Sequence, residues 1–277
     1  MPFFENMTTN RDPERFRNEA AKYAAYLETP EGRLRVELAF ANLRDFLPRS
    51  TRPLLALDLG GGPGALAVRL ARLGLHVTLL DESLPMLDFA KRAADEAGVT
   101  ERIVLKHGEA SELGNLFPAG SFDLILCHNV LEFVADPCAT LSDAARALRA
   151  SSGIISILVR NQPGEVLKAA IQNGDLTAAE RNLTAEWGDE SLYGGKVRLF
   201  TAESLTSMLA AASFAVTGVR GVRIISDYLP PKISRSDEYP RIFELERKLG
   251  SQPEFAAIAR YTHCLAHRTT PIMKEDV

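Results

Sequence analysis

The chain has 277 residues, 46% hydrophobic and 25% charged, with a net charge of −4. This is globular composition, sufficient for a large core; no apolar run approaches the roughly 18 residues of a membrane span, and the negative balance argues against strong non-specific nucleic-acid binding. Residues Met1 to Thr8 lack a basic region followed by an apolar one, and Cys127, Cys138 and Cys264 are odd in number and lack metal-ligand spacing, so we expect a cytoplasmic protein with reduced thiols, no metal and no secretory signal.

Residues 12–47 have helical spacing (Phe16, Tyr23, Tyr26, Leu27, then Leu34, Leu38, Phe40, Leu43, Leu47), and Pro30 and Gly32 divide it into two predicted helices. Leu54–Leu59 reads as the first strand, followed by a glycine-rich turn and a helix from Ala65. A second strand, His76–Leu80, ends at Asp81, and a helix from Ser83 to Ala97 stops at Gly98. Ile103–Leu105 and Phe122–Cys127 are the third and fourth strands. A helix from Pro137 to Ala150 leads to a fifth strand, Ile154–Val159. Strands alternating with helices imply an α/β fold with a mostly parallel sheet and helices on both faces.

The pattern then changes. Residues 161–197, with Trp187 and Tyr193, are too long for a plain connection and read as a lid or substrate-facing insertion. Thr201, with Ser204 behind it, opens a helix over 201–212. Phe214–Ile225 and Tyr261–His267 read as the last two of seven strands, with a helix at Pro240–Leu249 between them. No repeat divides the chain, so residues 1–277 are expected to form a single domain. Its two ends, 11–52 and 215–277, are slightly basic and its middle is acidic, which is compatible with a local basic patch.

The most informative stretch is Asp58-Leu59-Gly60-Gly61-Gly62-Pro63-Gly64, directly after the first strand. A strand, a glycine loop and a helix make a nucleotide-sized site at the carboxyl edge of a parallel sheet. Asp81 lies 17 residues beyond Gly64, at the end of the second strand. A carboxylate there can accept both ribose hydroxyls; the competing reading is a carboxylate capping the helix that follows Ser83. Gly60-x-Gly62-x-x-Ala65 also satisfies the loose dinucleotide fingerprint, which keeps an NAD-dependent oxidoreductase as an alternative beside a non-catalytic binding module.

The pattern Asp-x-Gly-x-Gly-x-Gly resembles the first motif of the class I S-adenosylmethionine (SAM)-dependent methyltransferases, and Phe122–Phe133 resembles their fourth. The resemblance implies a Rossmann-like seven-stranded methyltransferase fold with SAM as cofactor. Gly60, Gly61 and Gly62 would then pack against its methionine part, and Asp58, beneath the loop, would reach backbone N–H groups or the amino group. Glu109, Ala110 or Ser111 would contact the adenine. His128 would line the pocket or act as a general base. Gly32–Arg35, His128–Pro137, Gly221–Leu229, Glu244–Glu246 and Arg260–His263 further resemble the bacterial tRNA 5-carboxymethoxyuridine methyltransferases, in which the arginine at the position of Arg35 reaches the SAM carboxylate. That likeness implies tRNA as partner and a wobble-uridine carboxylate as methyl acceptor. This chain departs from that family in having Arg160-Asn161 after the fifth strand, and an acidic stretch, Glu180 to Glu190, in the insertion.

A carboxylate acceptor is ionised at neutral pH and needs a cation to orient it, for which the arginine fork is suited. Arg160, Arg198, Arg223 and Arg260 are the candidates. A small-molecule acceptor is the alternative; were it an amine or hydroxyl, His128 or Tyr228 would serve as proton acceptor.

Overall fold

The computed structural model describes residues 19–269 apart from 49, 151, 191 and 193. The expectations for residues 12–18, Phe16 and Tyr193 lie outside these. Helices α1 (Ala20–Glu28) and α2 (Pro30–Arg44) precede β1 (Leu55–Leu59), α3 (Ala65–Arg72), β2 (His76–Asp81), α4 (Leu84–Glu96) and β3 (Ile103–His107). Then come α5 (Leu113–Leu116), β4 (Leu124–His128), α6 (Pro137–Ala147) and β5 (Ile154–Arg160). The insertion forms α7 (Gln162–Leu167), a π-helical turn, α8 (Leu176–Asn182) and a hairpin of β6 (Trp187–Asp189) and β7 (Lys196–Arg198). The chain continues through α9 (Ala202–Ala211), β8 (Phe214–Val222), α10 (Tyr239–Gly250), α11 (Pro253–Ala256) and β9 (Tyr261–Arg268).

Seven strands form one sheet in the order β3-β2-β1-β4-β5-β9-β8. The first five are mutually parallel, and β9 runs antiparallel to both of its neighbours. The two-residue period of a strand divides the core between the faces. Leu57, Leu59, Ile125, Cys127, Ile155 and Ile157 pack with Leu141 and Ala144 of α6 and with Leu205 and Leu209 of α9. Ala56, Leu79, Leu124 and Leu126 face Leu66, Ala67 and Leu70 of α3 and Leu87 and Ala90 of α4. Each fully buried leucine contributes roughly 1.5–3 kcal/mol. Asp58 alternates with Leu57 and Leu59 and so belongs to the α3 face, directly below the turn into that helix.

Several boundaries differ from the sequence reading for local reasons. The break between the first two helices falls at Thr29, whose Oγ1 accepts the Gly32 N–H at 3.1 Å, and Gly32 lies inside α2. Glycine is needed there because a Cβ would lie 2.0 Å from the Tyr26 carbonyl oxygen. Phe122 precedes β4 and makes only an isolated bridge to Leu148. The Thr201–Ser204 cap forms as read from the sequence, each side chain accepting the other's backbone N–H at 3.0 Å. Strand β8 stops at Val222 rather than Ile225, because Arg223 takes φ +62° and the next three backbone N–H groups leave the ladder. They donate instead to the buried Glu246 carboxylate of α10, from Ile224 at 2.7 Å, Ile225 at 3.0 Å and Ser226 at 2.7 Å. Glu246 thereby sets the path of the segment that carries Arg223, Asp227 and Tyr228. No helix among the described residues is long and apolar enough to cross a membrane.

Candidate cofactor and acceptor site

The turn after β1 hooks onto β2. Gly60 N–H donates to the Leu80 carbonyl at 2.7 Å, and Gly62 N–H donates to Asp81 Oδ2 at 2.8 Å. Gly60 adopts φ +64°, and a Cβ there would sit 2.6 Å from a Val130 methyl. A Cβ at Gly61 would meet Leu79 at 2.6 Å and the Asp58 carboxylate at 2.9 Å. Glycine at 60 and 61 is therefore required by the backbone angle and by close packing respectively.

Two adjoining cavities open at this end of the sheet. The larger is bordered by Arg35, Gly60, Gly62, Asp81, Glu109, Ala110, Ser111 and His128. The smaller, beneath the loop, adds Asp58 and Gly61 and shares Arg35, Gly60, Gly62 and His128 with the first. All ten residues singled out for cofactor contact thus converge on one place.

Their polar atoms are disposed unevenly. Asp81 accepts the Ser83 N–H at 2.9 Å through Oδ1, besides the Gly62 bond to Oδ2. Asp81 therefore holds the glycine loop and the turn that leads into α4, rather than capping the helix's own N–H groups, and each oxygen keeps a further lone pair. Burial pushes the Asp81 carboxyl up, against the two N–H donors and His107. Asp58 is buried with Oδ2 lacking a protein partner, and burial together with Asp81 pushes its carboxyl up to about 7.

Arg35 is buried, makes no ion pair among the described residues, and donates to the Tyr23 hydroxyl at 2.7 Å. Its guanidinium lies over the rings of Tyr26 at 5.1 Å, Tyr23 at 5.5 Å and Tyr261 at 5.6 Å. A buried cation without an anion among the described residues borders the same small cavity as a buried carboxylate with a vacant oxygen. That pair matches the carboxylate and ammonium of a zwitterionic amino-acid group, and Asp81 stands where a ribose would follow. The donor set fits SAM.

Burial pushes the His128 imidazole well below its usual value, helped by His263 and Arg35. Its Nε2 is 2.8 Å from Ser156 Oγ. A neutral ring already engaged through one nitrogen is a poor general base. Tyr228 is no better placed, since burial and Asp227 push its hydroxyl up to about 12 and it borders neither cavity.

Of the four arginines read from the sequence as candidates to orient the acceptor, only Arg160 lines the larger cavity. It is held by Glu190 of the insertion and by Glu165 at 3.4 Å. Arg223 binds Asp227 and donates to the Tyr26 hydroxyl at 2.8 Å. Arg260 contacts Glu165 at 2.6 Å, and Arg198 lies 4.8 Å over the Trp187 ring. These three border neither cavity. Arg223 and Arg260 each lie about 6 Å from the ring of Tyr261, which does line the larger cavity. Burial alone would raise the Tyr261 hydroxyl, but Arg35, Arg223, Arg160 and Arg260 together bring it down to about 8.

Sequence reasoning missed Tyr23, Glu132, Glu190 and Tyr261 as cavity residues. Glu132 had a signal, being a charged residue in the apolar stretch after β4. It is buried, accepts the Asn129 side-chain amide and the Arg160 N–H at 2.9 Å each, and so ties the ends of β4 and β5 together. Of the acidic insertion, Glu190 turns inward onto Arg160, whereas Glu180, Glu186 and Asp189 are exposed and Asp189 pairs with Lys196 at 2.5 Å.

A family profile described as a methyltransferase domain matches residues 31–219. The tRNA 5-carboxymethoxyuridine methyltransferase of Escherichia coli (strain K12) is 30% identical over 257 residues, covering 90% of this chain and 93% of that protein. A ubiquinone biosynthesis O-methyltransferase of Caulobacter vibrioides is 32% identical over 174 residues, covering 61% and 62%. Among solved structures, a SAM-dependent methyltransferase from Thermotoga maritima superposes with a TM-score of 0.61 at 15% identity, covering 92% of this chain and 99% of that one, a likeness of fold.

Proposed function

The chain belongs to the methyltransferase-domain family and is a SAM-dependent methyltransferase, and we propose that it methylates the carboxylate of 5-carboxymethoxyuridine at the wobble position of tRNA. The observation that carries this reading is the extent of the likeness to the tRNA enzyme. It runs through 90% of the chain, and so beyond the methyltransferase core that more distant relatives share. A tRNA acceptor also accords with a cytoplasmic location.

Bound SAM supplies an electrophilic methyl group on a sulfonium. The chain's own residues bind, orient and exclude water. Asp81 accepts the ribose hydroxyls, Glu109 to Ser111 border the adenine, Arg35 holds the amino-acid carboxylate, and Asp58 takes the ammonium. An ionised acceptor carboxylate needs no proton removed, which fits a site where His128 and Tyr228 are both unsuited to act as base. It needs a cation at the cavity wall; with Arg35 assigned to the cofactor, Arg160 is the candidate that borders the cavity, shared there with Glu190 and Glu165. Positioning the two reactants in this way supplies several kcal/mol of the barrier reduction.

The pairing of Asp58 with an ammonium gives a pH signature. The ligand prefers the ionised carboxylate, so protonation competes with binding. With the carboxyl at about 7, SAM affinity is expected to rise about eightfold between pH 6 and 7.5, with uptake of SAM releasing a proton at the acid end. Calorimetry in buffers of different ionisation enthalpy measures both quantities. Asp58→Asn should flatten the dependence; an equally steep profile in that variant would remove Asp58 from the site.

The acceptor is tested by radiolabelled methyl transfer to tRNA with and without the carboxymethoxy group. Transfer is expected only to the former. Phosphate contacts should make it fall by about tenfold or more between 50 and 200 mM salt. No transfer to either tRNA, with SAM binding intact, would leave a small-molecule acceptor. The buried position of Glu190 removes one negative charge from the face a polyanion would approach.

A further inference from the structure

Behind the cavity, on the face of the sheet covered by α2, four polar side chains from four elements form a continuous chain. His128 Nε2 at the end of β4 is 2.8 Å from Ser156 Oγ on β5, and Ser156 Oγ is 2.8 Å from His263 Nε2 on β9. Asn42 on α2 turns its amide Nδ2 to His263 Nδ1 at 3.3 Å. Asn42, Ser156 and His263 are buried, and the two rings meet edge to face at 5.2 Å. No part of the reaction described above uses this chain.

Its hydrogen-bond arithmetic is restrictive. Burial pushes His263 down to about 3 and His128 well below its usual value, with Arg220 and Arg35 as the facing cations. Both rings are therefore neutral, and each carries one N–H. Ser156 sits between two Nε2 atoms and has a single proton. It donates to one ring and accepts from the other, so the two histidines must be opposite tautomers. Asn42 sets the direction. Its N–H donates to His263 Nδ1, which places the His263 proton on Nε2, facing Ser156. Ser156 then donates to His128 Nε2, and the His128 proton lies on Nδ1. That atom is buried with no protein partner, in a ring bordering both cavities.

We propose that the Asn42–His263–Ser156 chain locks His128 as an Nδ1–H donor, which binds the anionic amino-acid end of SAM beside Arg35. Asn42, Ser156 and His263 are positioning residues that act through His128. The arrangement has a physical rationale. An isolated neutral histidine samples both tautomers, and one of them would turn a lone pair toward the ligand carboxylate. Holding the donor form in advance avoids that repulsion and the cost of selecting one tautomer on binding. The inference rests on the placement of the SAM carboxylate near Arg35 given above.

The test is long-range 1H–15N NMR of the full chain labelled with 15N-histidine, in which the two tautomers have distinct nitrogen shifts. His263 is expected as Nε2–H and His128 as Nδ1–H, both neutral from pH 6 to 8. Adding SAM should shift the His128 Nδ1–H resonance and leave His263 nearly unmoved. Ser156→Ala should mix the His128 tautomers and weaken SAM binding by about tenfold, whereas Ser156→Thr, which keeps the hydroxyl, should restore both. The proposal is overturned by an Nε2–H His128 in the unaltered protein, by two histidines of the same tautomer, or by an unchanged His128 in Ser156→Ala. A correctly locked His128 that ignores bound SAM would also overturn it, by removing the ligand contact. Failure of SAM to bind at all would instead strike the cofactor placement, since the tautomers are read without ligand.

Discussion

Asp81→Ala is expected to weaken SAM binding by two to four orders of magnitude, the loss of two hydrogen bonds to a charged acceptor at about 1.5–3 kcal/mol each. The carboxylate is buried at the end of β2, and its oxygens already hold Gly62 N–H at 2.8 Å and Ser83 N–H at 2.9 Å. Those donors offset part of the rise that burial imposes on the carboxyl and fix the direction in which its remaining lone pairs point. Alanine removes the ribose contacts and also frees the tip of the glycine loop, so the effect should sit at the upper end of the range. Calorimetry measures it, with chemical denaturation confirming a folded variant. SAM affinity within threefold of the unaltered protein would show that Asp81 serves only the loop and the turn into α4.

Gly60→Val should abolish measurable SAM binding while leaving the sheet assembled. Two independent obstacles coincide at this residue. Its φ of +64° is costly for any side chain and most costly for a β-branched one, and its Cβ would come within 2.6 Å of a Val130 methyl. Relief requires the loop to move away from β4, and the cavity floor moves with it. Retained far-ultraviolet circular dichroism with no calorimetric heat on SAM addition is the expected result. Normal binding would mean that residues 58–64 do not form the cofactor loop. Gly62→Ala is a milder companion: its φ of +53° is equally unfavourable, but the nearest atom to a Cβ there is Tyr23 at 3.6 Å.

The convergence of the candidate cofactor residues on one cavity region was legible because its determinants are local. Alternating apolar residues, a glycine run and a carboxylate closing the next strand are separated by spacings that one βαβ unit brings together automatically. Asp58, Gly60 to Gly62, Asp81, Glu109 to Ser111 and His128 all lie at the ends of the strands read from the sequence. Arg35 was reached only through family resemblance, since one arginine in a helix carries no local signal.

The acceptor half was less legible, for a physical reason. A charged residue's role depends on what else has been brought within 4 Å of it. Arg160, Arg223 and Arg260 are equivalent as letters in a sequence. Glu190, thirty positions away, sits on Arg160; Asp227 and the distant Tyr26 hydroxyl hold Arg223; and Glu165 occupies Arg260. The acidic stretch of the insertion likewise reads as one surface feature until the hairpin turns Glu190 inward.

The strands, the helices that cover them and the glycine-rich turn of the candidate cofactor site were readable in the residue order, because periodicity and turn chemistry act between neighbours along the chain. Folding in three dimensions was needed to show which of the four candidate arginines borders the cavity, that Tyr261 lies among four guanidinium groups, and that His128 stands at the end of a buried chain of four side chains. Those outcomes depend on pairings between residues up to 221 positions apart, where burial removes water as a competing partner and makes every unpaired charge costly.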